Sequence, residues 1–267
     1  MTYQSKVPIS AIVLTRNEEK HICRCLASLL WADEIVVVDA ESVDATAELC
    51  DPSRNPKARW ADKVKFVTRP WSGFRDQRNF SLTQAKNNWV LVVDADEECS
   101  PELANKIQTL VRLAAGPPFK AYKVRRVEYF LGKPIFYGVW NPSYQDRFFD
   151  KTGVYYVNEV HEYPIFLQEP GRIHEPLYHA PEFSPEKFLE KMNKYTSIEA
   201  LDRLKLGQKT SWFKLLFAFP AMFYKNYFYY GAYKDGMHGF VISLLEGVSR
   251  VIRHVKMWQY SKEKISE

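Results

Sequence analysis

Residues 89–98 read WVLVVDADEE. The apolar run Trp89–Val93 leads straight into Asp94, Asp96, Glu97 and Glu98. An apolar run without alternation suits a strand covered on both faces, the mark of a parallel sheet. Carboxylates this close repel one another unless solvent or a cation relieves them. The stretch is therefore either a solvated acidic turn or a seat for a metal ion at the end of a buried strand. Ser100-Pro101-Glu102 follows at once and predicts a helix start, with a cap, a proline at the first helical position and an acid in the first turn.

The same grammar recurs upstream. Ile9–Leu14, Glu34–Asp39 and Val64–Thr68 are apolar runs of strand length. Between them, Asn17 reads as a helix N-cap with Glu18 and Glu19 in the first turn, and Ile22, Leu26, Leu29 and Leu30 recur at helical spacing. Asp44 is placed to cap a short helix through Cys50, residues 51–62 read as an inserted loop, and Arg75–Lys86 as a helix. Strands alternating with helices predict an α/β fold with a mostly parallel central sheet. Functional groups in such sheets gather at the carboxyl ends of strands. Thr15-Arg16-Asn17-Glu18, Asp39 and Asp94-Ala95-Asp96 all fall there.

After residue 119 the pattern changes. Lys120–Phe130, Val154–Val160 and Arg172–His179 are aromatic-rich, strand-like segments, and Ser184-Pro185-Glu186 opens another helix. The chain of 267 residues, 46% hydrophobic, can bury one sizeable core. Its net charge of +5 is unevenly spread, with eleven Lys and Arg against four Asp and Glu from Arg203 onward. A basic tail predicts an anionic partner surface. Trp212–Tyr230 holds ten aromatic residues, interleaved with lysines and interrupted by Pro220, which should kink it; Gly236–Met257 is a last apolar helix candidate. Aromatics and lysines in this mixture suit the headgroup boundary of a membrane, or the aromatics form a core between the last two helices. No recognition fold for nucleic acid accompanies them. No uncharged apolar run approaches the roughly 20 residues of a membrane span. The N-terminal apolar run is too short for a signal peptide. Four irregularly spaced cysteines, Cys23, Cys25, Cys50 and Cys99, read as small apolar fillers in a reducing compartment.

The segments ISAIVLTRNEE, EIVVVDAESVDAT and QRNFSLTQAKNNWVLVVDADEE resemble the family 2 glycosyltransferases of GT-A fold, and most of all their lipopolysaccharide-core β-glucosyltransferase subfamily. The likeness runs on through YFLGKPIFYGVWNPSYQDRFF, VNEVHEYP, LYHAPEFSPEKFLEKMNKY and YYGAYKDGMHGF, so it spans nearly the whole chain. It departs at Ala40-Glu41, at Ala45, and at Asp146, where many relatives carry an apolar residue. The resemblance implies a GT-A nucleotide-sugar-binding fold over residues 1–206, with a nucleotide half (1–118) and an acceptor half (119–206). Residues 207–267 would be a tail of amphipathic helices. It implies a UDP-hexose donor, a glycolipid or other cell-envelope glycan acceptor, and Mg²⁺ or Mn²⁺. Thr15, Asn17, Glu18, Asp39, Arg78, Asn79 and Asp94 would lie by the nucleotide, and Asp96, Asp94 and His179 by the metal.

An inverting transfer also needs a base for the acceptor hydroxyl. The resemblance puts Glu162 first, with Asp146 and Glu159 as runners-up and His161 as an orienting group. Plainer roles stay open: Asp39 as a turn cap, Arg78 as a surface cation, Glu162 as a salt-bridged acid. The expected place of work is the inner face of the cytoplasmic membrane, peripherally. The alternatives are a sugar-1-phosphate nucleotidyltransferase, which would want a glycine-rich loop that TRNEEK lacks, and a non-catalytic membrane-surface protein. The sequence leaves the oligomeric state open.

Overall fold

The computed structural model describes residues 7–158, 162–181 and 183–263. Two compact units divide the chain: unit 1 comprises residues up to Val127 and Ser143–Pro181, and unit 2 comprises Glu128–Pro142 and the residues from Glu182 on.

Unit 1 begins with β1 (Ile9–Thr15), α1 (Ile22–Ser28), β2 (Glu34–Asp39), α2 (Thr46–Cys50), β3 (Val64–Thr68), α3 (Phe74–Gln84) and β4 (Trp89–Asp94). It continues with β5 (Glu97–Cys99), α4 (Pro101–Val111) and β6 (Ala121–Phe130), the end of which enters unit 2 and pairs there with the short β7 (Lys133–Pro134). Back in unit 1 are β8 (Ser143–Asp150), β9 (Tyr155–Val157), β10 (Tyr163–Ile165) and β11 (Gly171–His179). The sheet order is β3-β2-β1-β4-β8-β6-β11-β5. The first four strands run parallel, with Thr15 opposite Asp39 and Leu14 opposite Asp94, so their carboxyl ends share one rim. The pairs β4–β8, β8–β6 and β11–β5 are antiparallel, which sets His179 opposite Glu97. The parallel strands are buried throughout β2 and nearly so in β1, as their unbroken apolar runs require. Apolar clusters lie on both sides of this sheet: one includes Ile9, Leu26, Ile35, Leu91, Leu103 and Phe148, the other Ile12, Val36, Val92 and Phe149. The cysteines are free and three are buried; burial pushes the Cys50 and Cys99 thiols up to about 12.

Ser100 caps α4 by accepting from the Leu103 amide at 3.1 Å. Asn17 does not cap α1, which begins only at Ile22. It sits instead in left-handed backbone, φ 56°. Its amide donates to Ser42 Oγ and its side-chain oxygen accepts from the Val43 amide, each at 2.9 Å. A residue able to turn left-handed and bond two ways serves a clasp between loops better than a helix start. Asp44 does meet α2, accepting from the Thr46 amide at 3.0 Å. Within the expected strand 154–160, the described pairing is confined to Tyr155–Val157, and Glu159 and His161 lie outside the described residues.

Unit 2 contains α5 (Pro185–Lys205), α6 (Trp212–Tyr224) and α7 (Met237–Glu263). Ser184 caps α5 and Ser211 caps α6. α6 runs helically through Pro220 and widens into a π-turn at Lys225–Tyr229. Segment 128–142 is clamped to these helices by two buried polar residues. Asp235 accepts from the Phe136 and Tyr137 amides at 3.1 and 2.9 Å. Asn226 accepts from the Val139 amide at 2.7 Å and donates to Ser243 at 2.9 Å. The aromatic run divides its work. Phe219, Phe223, Tyr227 and Phe240 stack on one another, whereas Trp212, Phe213, Phe217, Tyr224 and Tyr229 are exposed. No helix among the described residues is long and apolar enough to cross a membrane.

Candidate active site

The shared rim of the parallel strands opens into a cavity of about 540 Å³ in unit 1. Thr15 and Arg16 from the end of β1, Glu18 beyond it, and Ala40 after β2 form one side. Gln77 and Arg78 of α3 form another, and Asp94, Asp96 and His179 close it. Trp71 and Phe74, packed edge to face at 4.7 Å, add an aromatic wall. Among the described residues, three buried polar atoms of this lining have no protein partner: Thr15 Oγ1, Gln77 Oε1 and Arg78 Nη1. Buried polar atoms are ordinarily satisfied, so this cavity has the character of a binding site for a polar ligand.

Asp94 and Asp96, one residue apart, are treated very differently. Asp94 accepts from Arg78 Nη2 at 2.7 Å and from Arg147 Nη2 at 2.5 Å. Burial alone would raise its pKa, but the two guanidiniums outweigh burial and hold the carboxyl well below its usual range. Arg147 also donates to the fully buried Glu97 at 2.8 Å, and Arg126 approaches the same carboxylate at 3.3 Å. Burial pushes Glu97 up despite Arg147, and the neighbouring Asp94 adds to the rise. The three guanidiniums of Arg78, Arg126 and Arg147 and the two carboxylates of Asp94 and Glu97 thus form one ion-pair cluster beside the cavity. Asp96 stays outside it. Its Oδ2 lies 3.0 Å from His179 Nε2. Burial raises its pKa, but the His179 contact more than offsets this, so the net shift is downward.

A hard divalent cation serving a diphosphate needs one or two protein ligands and takes the rest from phosphate and water. Asp96 with His179 fits that donor set, because both half-buried side chains line the cavity at ligand spacing. Asp94 has each oxygen committed to a guanidinium. No cage of three or more His, Cys, Asp or Glu exists among the described residues.

Asn17, Asp39 and Asn79 are not in the cavity wall. Asp39 is buried and bonds Ser42 twice, through the amide at 2.9 Å and the hydroxyl at 2.5 Å, the geometry of a turn cap. Asn79 ties α3 to β9 through both backbone groups of Tyr156, at 2.7 and 3.0 Å. Arg78 is no surface cation: it is buried and paired with the partly exposed Asp94.

A second cavity of about 240 Å³ adjoins the first, with Arg78 and Asp94 common to both walls. Asp146 and Glu162 line it, beside Arg147 and Tyr156. Glu162 Oε1 lies 3.9 Å from Arg78 Nε. Burial raises the Asp146 carboxyl, against the pull of Lys123 and Arg147, and its Oδ1 is buried without a partner.

Residues 10–166, more than half of the chain, match Glycosyl transferase family 2. The chain belongs to that family. This family 2 glycosyltransferase is 30% identical over 262 residues to the lipopolysaccharide core biosynthesis glycosyltransferase LpsC of Rhizobium meliloti, covering 95% of this chain and 93% of LpsC. It is 30% identical over 268 residues to an uncharacterised glycosyltransferase of Rickettsia conorii, covering 95% and 90% of the two chains. Among solved structures it is similar to residues 1–349 of Staphylococcus aureus TarS in complex with UDP-GlcNAc, with a TM-score of 0.46 and 17% identity over 91% of this chain and 81% of that one.

Sequence reasoning about the glycosyltransferase missed Arg147, Arg126, Glu97 and the Trp71–Phe74 wall. Arg147 carried a readable signal, since it stands directly before the buried pair Phe148-Phe149 on β8. A cation in such a run has to find buried carboxylates. Trp71, in the loop before α3, and Phe74, its first residue, carried none, because neither falls within a periodic run that could be read.

Proposed function

We propose that this glycosyltransferase inverts the anomeric centre as it moves a hexose, glucose first among the candidates, from a UDP-sugar to a glycolipid of lipopolysaccharide-core type. Adjoining cavities that share Arg78 and Asp94 carry the proposal. The larger has orphaned polar atoms and an aromatic wall suited to a nucleotide; the smaller has two carboxylates suited to a proton transfer. The full-length likeness to LpsC supports the acceptor class. Residues 1–118 are the nucleotide half and 119–206 the acceptor half. The exposed aromatics and lysines of residues 207–267 support peripheral attachment to the anionic inner face of the cytoplasmic membrane.

In this mechanism Thr15, Glu18 and Gln77 meet the nucleotide, with Trp71 against the base. Arg78, anchored on Asp94, turns its free Nη1 toward the diphosphate. Asp96 and His179 would hold Mn²⁺ or Mg²⁺, which would supply charge neutralisation for the departing diphosphate. Glu162 takes the proton from the acceptor hydroxyl while that oxygen bonds to the anomeric carbon and the bond to the diphosphate breaks. Asp146 is the second candidate base, favoured by its raised carboxyl and unpartnered oxygen.

The test is a panel of nucleotide-sugars with a lipopolysaccharide-core acceptor, scored for release of the nucleoside diphosphate. Release from a UDP-hexose, abolished by EDTA and by Asp96→Ala without loss of fold, is the expected result. Turnover of Asp96→Ala near the native rate in EDTA would remove the metal from the scheme, and release only from a non-uridine donor would replace the donor.

A further inference from the structure

Unit 2 has a cavity of its own, about 410 Å³, walled by α5, α6 and α7. Six cations reach it: Arg203, Lys209, Lys214, Lys225, Arg250 and Arg253. No carboxylate is in its wall among the described residues. Such a concentration of like charge costs free energy in the absence of an anion. The strain of charge is visible in the groups themselves. Arg250 donates to the Met222 sulfur at 3.3 Å, a weak acceptor for a guanidinium. Burial pulls its pKa down, and the charges of Arg253 and Arg203 pull it further, outweighing the opposing carboxylates of Glu199 and Glu246. His254 is lowered by burial and by the same arginines. Arg253 is buried and bonded at one end to Glu199 at 2.8 Å, while its Nε has no partner. The floor is of another kind, with Phe217, Ala218, Ala221, Met222 and Met257. Exposed Trp212 and Phe213, two-thirds accessible, open the same helix, α6.

We propose that this cavity binds the phosphomonoester headgroup of a lipid, so that the enzyme recognises one phosphorylated lipid per chain and not only an anionic surface. The inference rests on the membrane attachment proposed above and gives it a specific ligand. A phosphomonoester carries close to two negative charges and three acceptor oxygens, which matches a ring of guanidiniums and ammoniums better than a singly charged phosphodiester does. The arginine forks of Arg250 and Arg253 suit bidentate capture of phosphate oxygens. The apolar floor distinguishes a lipid from free phosphate, because a soluble ion has nothing to place against Phe217 and Met257. The exposed aromatics at the start of α6 suit the headgroup boundary where such a lipid resides.

Flotation of the full-length protein with phosphatidylcholine vesicles, doped with phosphatidic acid or with phosphatidylglycerol at matched surface charge, tests this. Binding to phosphatidic acid should be tighter by about tenfold, a difference worth one tight hydrogen-bonded contact. Arg250→Gln and the exposed-site variant Lys214→Gln should each abolish the preference, with thermal unfolding checking that both stay folded. Lys205→Gln, which removes the same charge outside the cavity, should keep it. Flotation without headgroup preference, or equal loss in Lys205→Gln, overturns the site but leaves membrane attachment standing. Absence of flotation overturns both. Glycerol 3-phosphate binding in solution as tightly as the vesicles would make the ligand a soluble phosphate and overturn the lipid.

Discussion

At the residue scale, two aspartates one position apart have been given opposite work. Asp94 gives one oxygen to Arg78 and the other to Arg147, and Asp96 lies beside His179, both at the cavity wall. The division comes from β8, which delivers Arg147 across the strand pairing to Asp94 and Glu97. Arg147→Met should destabilise unit 1 by about 3–5 kcal/mol, because it strands buried carboxylates without their main partner. Adding Glu97→Gln to Arg147→Met should recover part of the loss. Urea unfolding measures both, and a loss under about 1 kcal/mol would mean that the cluster is not the anchor described. For the base, Glu162→Gln should lower turnover by about 10²-fold or more with donor binding little changed. The parallel measurement on Asp146→Asn ranks the two carboxylates. A large fall only in the Asp146 variant would move the role there.

At the element scale, caps and glycines set where helices may begin. Ser100 and Ser184 each stand before a proline and each accept an amide of the first turn, as their Ser-Pro-Glu context predicts. Gly239, near the start of α7, has a different reason for being small. A Cβ there would sit 1.8 Å from the Ala232 carbonyl oxygen, an impossible contact that only movement of backbone could relieve. Gly239→Ala should therefore displace the turn that holds Asp235 and lower the thermal midpoint of unit 2 by several degrees, about 4–8 °C for each kcal/mol in a domain of that size. Gly207 is the control for strain without collision: it has φ +73°, and a Cβ added there would meet nothing within 4 Å. Gly207→Ala should cost only about 1–2 kcal/mol from its left-handed backbone. If Gly239→Ala unfolds at the native temperature, the close approach is not a constraint.

At the scale of the molecule, the exposed aromatics of unit 2 are what the membrane prediction rests on. Trp212 and Phe213 are exposed while Phe219 and Phe223 are stacked within the unit, so the two sets can be altered separately. Trp212→Ser with Phe213→Ser should weaken binding to anionic liposomes by about tenfold or more while leaving the thermal midpoint unchanged, since the burial of a large apolar side chain is worth about 1.5–3 kcal/mol. The remaining binding should fall as salt rises, because it is carried by lysines. Unchanged flotation of the double variant would assign these aromatics to a protein interface. Substitution is a cleaner test than cutting the chain near Gly207, because α5 belongs to the same compact unit as the last helices and a cut there would divide it.

Sequence by itself determined the parallel half of the sheet, the strand-end constellation and the helix starts at Pro101 and Pro185. Each of these is local: an unbroken apolar run, a cap, a fixed proline φ. It also brought Thr15, Arg78, Asp94, Asp96 and His179 together, through the motifs that carry the family resemblance. Only the tertiary structure decided which of the two aspartates is left without a guanidinium, because that depends on an arginine some fifty residues away brought alongside by antiparallel pairing. It decided that Asn17 and Asp39 hold loops and that Asn79 ties α3 to β9, since a short polar side chain bonds whatever backbone folding brings within reach. And it decided which aromatics of α6 are stacked and which are exposed, because ten aromatics in one stretch overwhelm any periodic signal, and only the packing of α7 against them sorts inside from outside.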